Sequence, residues 1–327
     1  MSKQRFLDAI RRCNHSGPAV FGTGTSIACR ELMDEAGAWF PEAHLDAQQM
    51  ATLAMAGHTI LGLDVVMPLF SVCHEAAAMG CNVQWGGPQS MPECGKPIFQ
   101  DEDDIRIPAD LLLRPGCAVP LAAIAELKKR LGDDAAICGK VFGSWTQGYH
   151  YFGVENFLIG TLDDPDKTRR TLDRLLPVTL AFAQAQIDAG ADCILLADHA
   201  TRDLCSPRAY REFLLPLHRR LAAQIKAPVI LHICGNTSDR VGMVAQTGLS
   251  CFHWDTKSGR SEQVRAWAGP NLALMGGISN LTLLRGTPEE VAAQRQAAIA
   301  GDIDVVGPEC AIPLTTPLVN LRAVACR

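Results

Sequence analysis

Short runs of uninterrupted apolar residues recur along the chain, each bounded by Gly, Pro or Asp, and stretches with helical period lie between them. Eight runs can be counted: 19–23, 61–67, 136–142, 191–197, 229–234, 249–255, 272–278 and 303–308. Most are apolar at successive positions, as suits parallel strands covered on both faces rather than strands with one wet side. The intervening stretches carry helix starts. Asp46 precedes a helix over 47–60, with Gln49 placed for a capping box. Asp164-Pro165 opens a long helix closed by Gly190, with a kink expected at Pro177. Ser206-Pro207 opens another, whose Tyr210, Phe213, Leu214, Leu217 and Leu221 share one face. Thr287-Pro288-Glu289-Glu290 supplies a capping box and a proline at the first helical position, for a helix ending near Ala300.

Eight alternations of strand and helix predict an α/β protein of the (β/α)₈ TIM-barrel class. It is expected to be one domain over 1–327, with an amphipathic helix at its N-terminus. A doubly wound open sheet is the alternative; the count and the lack of a Gly-x-Gly-x-x-Gly turn disfavour it. Residues 81–108 break the pattern with Gly86, Gly87, Pro88, Pro92, Gly95 and Pro97, followed by the acidic run Asp101-Glu102-Asp103-Asp104. That region reads as a hairpin or lid inserted after the second unit, over the barrel mouth. The acidic run reads as a solvated loop.

Composition narrows the function classes. The 327 residues are 48% hydrophobic and 20% charged, and the net charge of -5 offers no footprint for nucleic acid or an anionic membrane. No apolar run approaches the roughly 20 residues of a spanning helix. The first residues lack the apolar core of a signal peptide, so a cytoplasmic location is expected. The 13 cysteines are scattered and odd in number, which points to reduced thiols, most of them small buried hydrophobes. Only cysteines at strand ends with another metal-binding group nearby suggest more.

In a (β/α)₈ barrel the chemistry lies at the C-terminal ends of the strands. The second run leads to Pro68, Cys73, His74 and Glu75, the fourth to Asp198-His199, and the sixth to His253-Trp254-Asp255. The fifth places His232 and Cys234 two apart, hence on one side of a strand. Alone, that pair is as readily a buried histidine and thiol as a metal site. The eighth run ends in Glu309-Cys310, and the barrel brings Cys310 to the same mouth. His232, Cys234 and Cys310 together would leave one tetrahedral position open, as catalytic zinc requires. Two thiolates and a neutral imidazole leave Zn²⁺ with almost no net charge, so a bound water would be a poor acid and a thiol a better fourth ligand. The donor set favours alkyl transfer to a thiol over hydrolysis.

Leu231-His-Ile-Cys-Gly-Asn236, taken with Gly307-Pro-Glu-Cys-Ala-Ile-Pro-Leu-Thr-Thr-Pro-Leu-Val-Asn-Leu321, resembles the zinc methyltransferases of the uroporphyrinogen decarboxylase superfamily, specifically the methylcobamide:coenzyme M methyltransferase branch. Pro41-Glu-Ala-His44 with Met50-Ala51, Glu75-Ala-Ala-Ala-Met-Gly80-Cys81, Ser206-Pro207 and Met275-Gly276-Gly277 extend the likeness over nearly the whole chain. The resemblance implies a barrel enzyme with Zn²⁺ on His232, Cys234 and Cys310. It would take a methyl group from a methylcorrinoid, carried by a partner corrinoid protein, and pass it to a small-molecule acceptor, a thiol such as coenzyme M. Asp198 and Asp255 are further catalytic candidates, orienting a ligand imidazole, contacting substrate or filling the fourth metal position; each would equally serve as a helix cap. Glu75 is expected near corrinoid or substrate, or else as a charge at a helix N-terminus. Asn236 would contact the acceptor or merely shape a turn. Gly277 completes the cofactor-binding candidates, and His199 and His253 are spare ligands. No Arg-Gln-Ala-Gly-Arg stretch occurs where the decarboxylase carries its substrate arginines, the region reading Phe21-Gly-Thr-Gly-Thr-Ser-Ile-Ala-Cys-Arg30. Porphyrinogen decarboxylation is therefore not expected. The competing readings are a metal-free decarboxylase-like lyase, a corrinoid methyltransferase serving tetrahydrofolate or another non-thiol acceptor, and a non-catalytic partner of a corrinoid protein.

Overall fold

The computed structural model describes residues 2–13 and 19–325. Nine strands occur among the described residues, in chain order: β1 (Val65–Val66), β2 (Val83–Gln84), β3 (Glu93–Cys94), β4 (Ala136–Phe142), β5 (Cys193–Ala197), β6 (Val229–Ile233), β7 (Cys251–Trp254), β8 (Ala273–Ile278) and β9 (Val305–Pro308). Seven form a parallel sheet in the order β1-β4-β5-β6-β7-β8-β9, and β2 and β3 pair antiparallel as a hairpin. Residues 20–22 close the curled sheet between its two edges. Val306 N–H donates to the Val20 carbonyl, Gly22 N–H to the Val306 carbonyl and Asp64 N–H to the Phe21 carbonyl. The architecture is the (β/α)₈ barrel that the alternating pattern predicts.

Its first stave differs from expectation. Run 19–23 makes one bridge, Phe21 to Val306, rather than a strand. Gly22 and Gly307 cross so closely that a Cβ on Gly307 would lie 2.0 Å from the Gly22 carbonyl oxygen. The carboxylate of Asp64 accepts the Phe21 N–H at 2.9 Å, replacing a ladder bond with a side-chain bond. Run 61–67 likewise shrinks to two residues.

The helix signals hold where they are local. Asp46 accepts from Gln49 N–H and starts Ala47–Thr59. Thr287 and Glu290 cap reciprocally at the start of Pro288–Ala300. Pro165–Ala189 runs on through Pro177 and ends at Gly190 in a left-handed conformation. After the Ser206 cap the helix widens into a π-turn over Tyr210–Leu214, just before Pro216, which has no N–H to continue the ladder. The apolar face named above is buried throughout.

Region 81–108 contains the expected hairpin, but the acidic run is not a free loop. Asp101–Asp104 forms a capped 3₁₀ turn pinned by three cations of the long helix: Lys167 on Asp101, Arg170 on Glu102 at 2.8 Å and Arg174 on Asp103 at 2.8 Å. Every described cysteine is a free thiol. No described helix is long and apolar enough to cross a membrane.

Candidate metal centre

The end of β6 delivers His232 and Cys234 to one side, as period two requires. Cys310 arrives just past β9, and one donor atom from each of the three lies within 4.8 Å of the others. Cys310 Sγ is 3.4 Å from His232 Nε2. His232 is almost fully buried, and the two cysteines are half-buried.

Each donor is held by a neighbour. His232 Nδ1 donates to the His253 carbonyl at 3.1 Å, which fixes the tautomer and leaves the Nε2 lone pair toward the sulfurs. His253 Nε2 in turn donates to the Pro308 carbonyl at 2.9 Å, tying β7 to β9. Burial pushes His253 well below the ordinary imidazole range; its Nε2 bond braces the strand ends, and it is not among the three donors that meet within 4.8 Å. Asp255 accepts the Gly235 N–H at 2.9 Å and the Lys257 N–H at 2.9 Å, anchoring the turn that follows Cys234. Gly235 itself has φ +76°, and a Cβ there would meet Thr201 Oγ1 at 2.5 Å, so the turn needs glycine. Glu309 plays the matching part for Cys310: it accepts Thr256 N–H at 2.9 Å and Asn280 N–H at 2.8 Å, clamping the loops after β7 and β8 to the residue before the cysteine.

The thiols act on one another. A hydrogen bond from Cys310, then the His232 ring, draws Cys234 below the ordinary thiol range. Cys310 moves up through the same contact and burial. Two sulfurs and a nitrogen that already favour one thiolate among them, with a preset imidazole lone pair, suit a soft, tetrahedral cation.

The sequence matches the family described as Uroporphyrinogen decarboxylase (URO-D) over residues 1–326. The chain belongs to the uroporphyrinogen decarboxylase family. Within it, the chain is 35% identical to a methylated-thiol–coenzyme M methyltransferase of Methanosarcina mazei over 90% of its own length and 80% of that protein's. It is 33% identical to the methylcobamide:CoM methyltransferase MtaA of Methanosarcina barkeri, over 94% of this chain and 91% of that one. A solved methyltransferase from Methanosarcina mazei superposes with TM-score 0.95 at 32% identity, covering 99% of this chain and 97% of that one.

The other candidates in this URO-D family chain fall around the centre unevenly. Asp198 lies in a fully buried network, accepting from Thr146 N–H and Oγ1 at 2.9 Å and from His218 Nε2 at 3.0 Å, while His218 Nδ1 meets the Tyr210 hydroxyl at 3.1 Å. Its carboxylate ties the end of β5 to the helices that carry Thr146 and His218. Glu75 is also interior: it accepts Phe142 N–H at 2.9 Å and Gln147 Nε2 at 3.3 Å, and burial pushes it up to about 8. Asn236 spends its carbonyl oxygen on Ser238 N–H and Oγ, shaping the turn. Gly277 has φ +94° and its open side meets Ala298 at 2.8 Å, so it lies on the outer face of the sheet and lets a helix approach. His199 stands at the mouth against Phe142; burial lowers its pKa, and Cys234 is close enough to oppose that. Together with Cys73, Cys94, Tyr149 and His150 it lines a cleft of about 500 Å³ beside the hairpin. Sequence reasoning missed Glu309 as a clamp and Lys140 altogether, a buried lysine on β4.

Proposed function

We propose that this chain is a zinc-dependent methyltransferase that takes a methyl group from a methyl-Co(III) corrinoid, carried on a corrinoid protein in the cytoplasm, and transfers it to a thiol such as coenzyme M. The observation that carries this reading is the trio His232, Cys234 and Cys310, with one donor atom from each within 4.8 Å of the others. The methyltransferase names borne by the relatives support it.

His232 Nε2 and the sulfurs of Cys234 and Cys310 would hold the ion. Zinc bound there supplies Lewis acidity that removes a thiol's proton at neutral pH. The remaining work belongs to the protein. The His253 carbonyl keeps His232 in its metal-accepting tautomer, Asp255 keeps Cys234 at the strand end, and Glu309 holds Cys310 across from it. The acceptor thiolate would form the new S–C bond as the donor's Co–C bond breaks, the electron pair of that bond leaving with the corrinoid. A corrin is broader than the cleft beside the hairpin, so donor docking would require the β2–β3 hairpin to shift, while residues 98–104 stay tied to Tyr151 and the long helix.

The test mixes freshly purified protein with methylcobalamin and a panel of coenzyme M, homocysteine, tetrahydrofolate and simple thiols, following the cobalt spectrum anaerobically. About one zinc per chain and thiol-dependent loss of methylcobalamin are expected. Cys234→Ser and Cys310→Ser should each lower the rate by a factor of about 100 or more and release the metal. Zinc-free protein that takes up no zinc, or transfer that survives both substitutions, overturns the proposal.

A further inference from the structure

Lys140 is the only buried lysine among the described residues, 5% exposed, and nothing in the metal centre employs it. It points into the barrel from β4: its neighbour Gly139 faces outward onto Gln186 of the long helix, and alternate residues of a strand face opposite ways. Its Nζ donates to the Leu69 carbonyl at 3.2 Å and stands over the Phe142 ring at 5.3 Å. Among the described residues no carboxylate pairs with it. Glu75, the acid nearest in charge, is committed to Phe142 and Gln147, and with its pKa raised to about 8 it is mostly protonated at neutral pH. Lys140 is itself lowered by burial, but only to about 8, so most of its charge survives there. An ammonium has three N–H donors. Burying one with a single neutral acceptor is costly, and the cost is relieved by an anion.

The position of Lys140 says where that anion comes from. Two contacts lead away from it: the Phe142 ring beneath it meets the His199 ring at 6.1 Å, and on the other side Phe70, next to its Leu69 acceptor, meets the His44 ring at 6.4 Å. On the second side His44 is 1% exposed and stacks on Phe40 at 4.0 Å, yet neither of its ring nitrogens has a hydrogen-bond partner. Burial holds that ring neutral, leaving one N–H to give. The His74 ring, 6.1 Å from that of His44, likewise has no hydrogen-bond partner on either nitrogen. Lys140 and His44 thus contribute unmet donors inside the barrel, with Lys140 two residues before Phe142, which is in register through Ala197 with His232.

We propose that Lys140, assisted by His44, anchors an anionic group at the far end of the thiol acceptor while its sulfur sits at the His232–Cys234–Cys310 centre. This rests on the function proposed above, and it names the residues that would select among thiols.

The test compares kcat/KM with methylcobalamin for 2-mercaptoethanesulfonate and 3-mercaptopropionate (anionic), 2-mercaptoethanol (neutral) and cysteamine (cationic). A second arm measures binding of ethanesulfonate, an anion without a thiol, by calorimetry on the zinc-loaded protein. Wild type is expected to rank the thiols anionic, neutral, cationic. Lys140→Gln should compress the anionic-to-neutral ratio about tenfold or more and weaken ethanesulfonate binding by a similar factor. His44→Phe, which keeps the stack on Phe40, should do the same to a smaller extent and guards against a folding artefact. A ratio unchanged in Lys140→Gln, or a change only in the KM for methylcobalamin, overturns the assignment. If wild type methylates no thiol, the methyltransferase reading fails by itself. Ethanesulfonate binding that still depends on Lys140 would then support the anion site alone, and its absence would remove that too.

Discussion

Glu75 shows how a residue's surroundings can reverse the role its position suggests. It lies in the first turn of the helix His74–Met79, where a carboxylate would favour the N-terminus, yet it is 2% exposed and burial raises it to about 8. A folded pKa above the unfolded one contributes stability that is complete below about pH 4.5 and is lost as pH rises through about 8. Glu75→Gln should abolish that slope, so melting temperatures of the two proteins should diverge between about pH 5 and 9. The gap should correspond to a few kcal/mol. Parallel curves would show that Glu75 is not held protonated. Lys140, depressed to about 8, acts in the opposite sense and at higher pH, so it does not mask the effect. At this scale His232 and Cys234 were legible because a two-residue spacing fixes a shared side. Asp198 was not, because its partners Thr146 and His218 come from other elements. Lys140 was hidden inside an apolar run, where sequence gives no hint of what it faces.

Among elements, the ends of β7, β8 and β9 are joined through one carboxylate. Glu309 accepts backbone N–H groups from Thr256 and Asn280, with a further bond from the Thr256 hydroxyl. Glu309→Gln keeps the size but turns one acceptor into a donor, so one loop loses its hold. The expected cost is roughly 1–3 kcal/mol in denaturant unfolding, with zinc affinity falling about tenfold or more as Cys310 loosens. A chelator competition that finds affinity unchanged would show Cys310 is positioned without it. Elements were readable from sequence where their signals are local, as in the Asp46 and Thr287 caps. The acidic turn at 101–104 was misread because its counter-charges lie more than 60 residues later in the long helix.

For the molecule as a whole, barrel closure depends on two glycines meeting. Gly307→Ala would press a methyl group onto the Gly22 carbonyl, against a backbone unable to yield as a side chain does. A loss on the order of 3 kcal/mol or more is expected. A thermal midpoint within a degree or two of wild type would refute the close crossing. The eight-fold alternation was legible because each run is apolar on both faces. The form of the closing stave was not, because it is decided by contact between residues at opposite ends of the sequence.

The chain order of the proposed metal ligands would also constrain biosynthesis. Cys310 follows His232 by 78 residues. On a ribosome adding on the order of 5–20 residues per second, the third donor emerges several seconds after the first. An ion captured by a nascent chain in that interval would have two ligands and would exchange freely, so secure loading of the proposed zinc would await the final staves, when the barrel itself assembles.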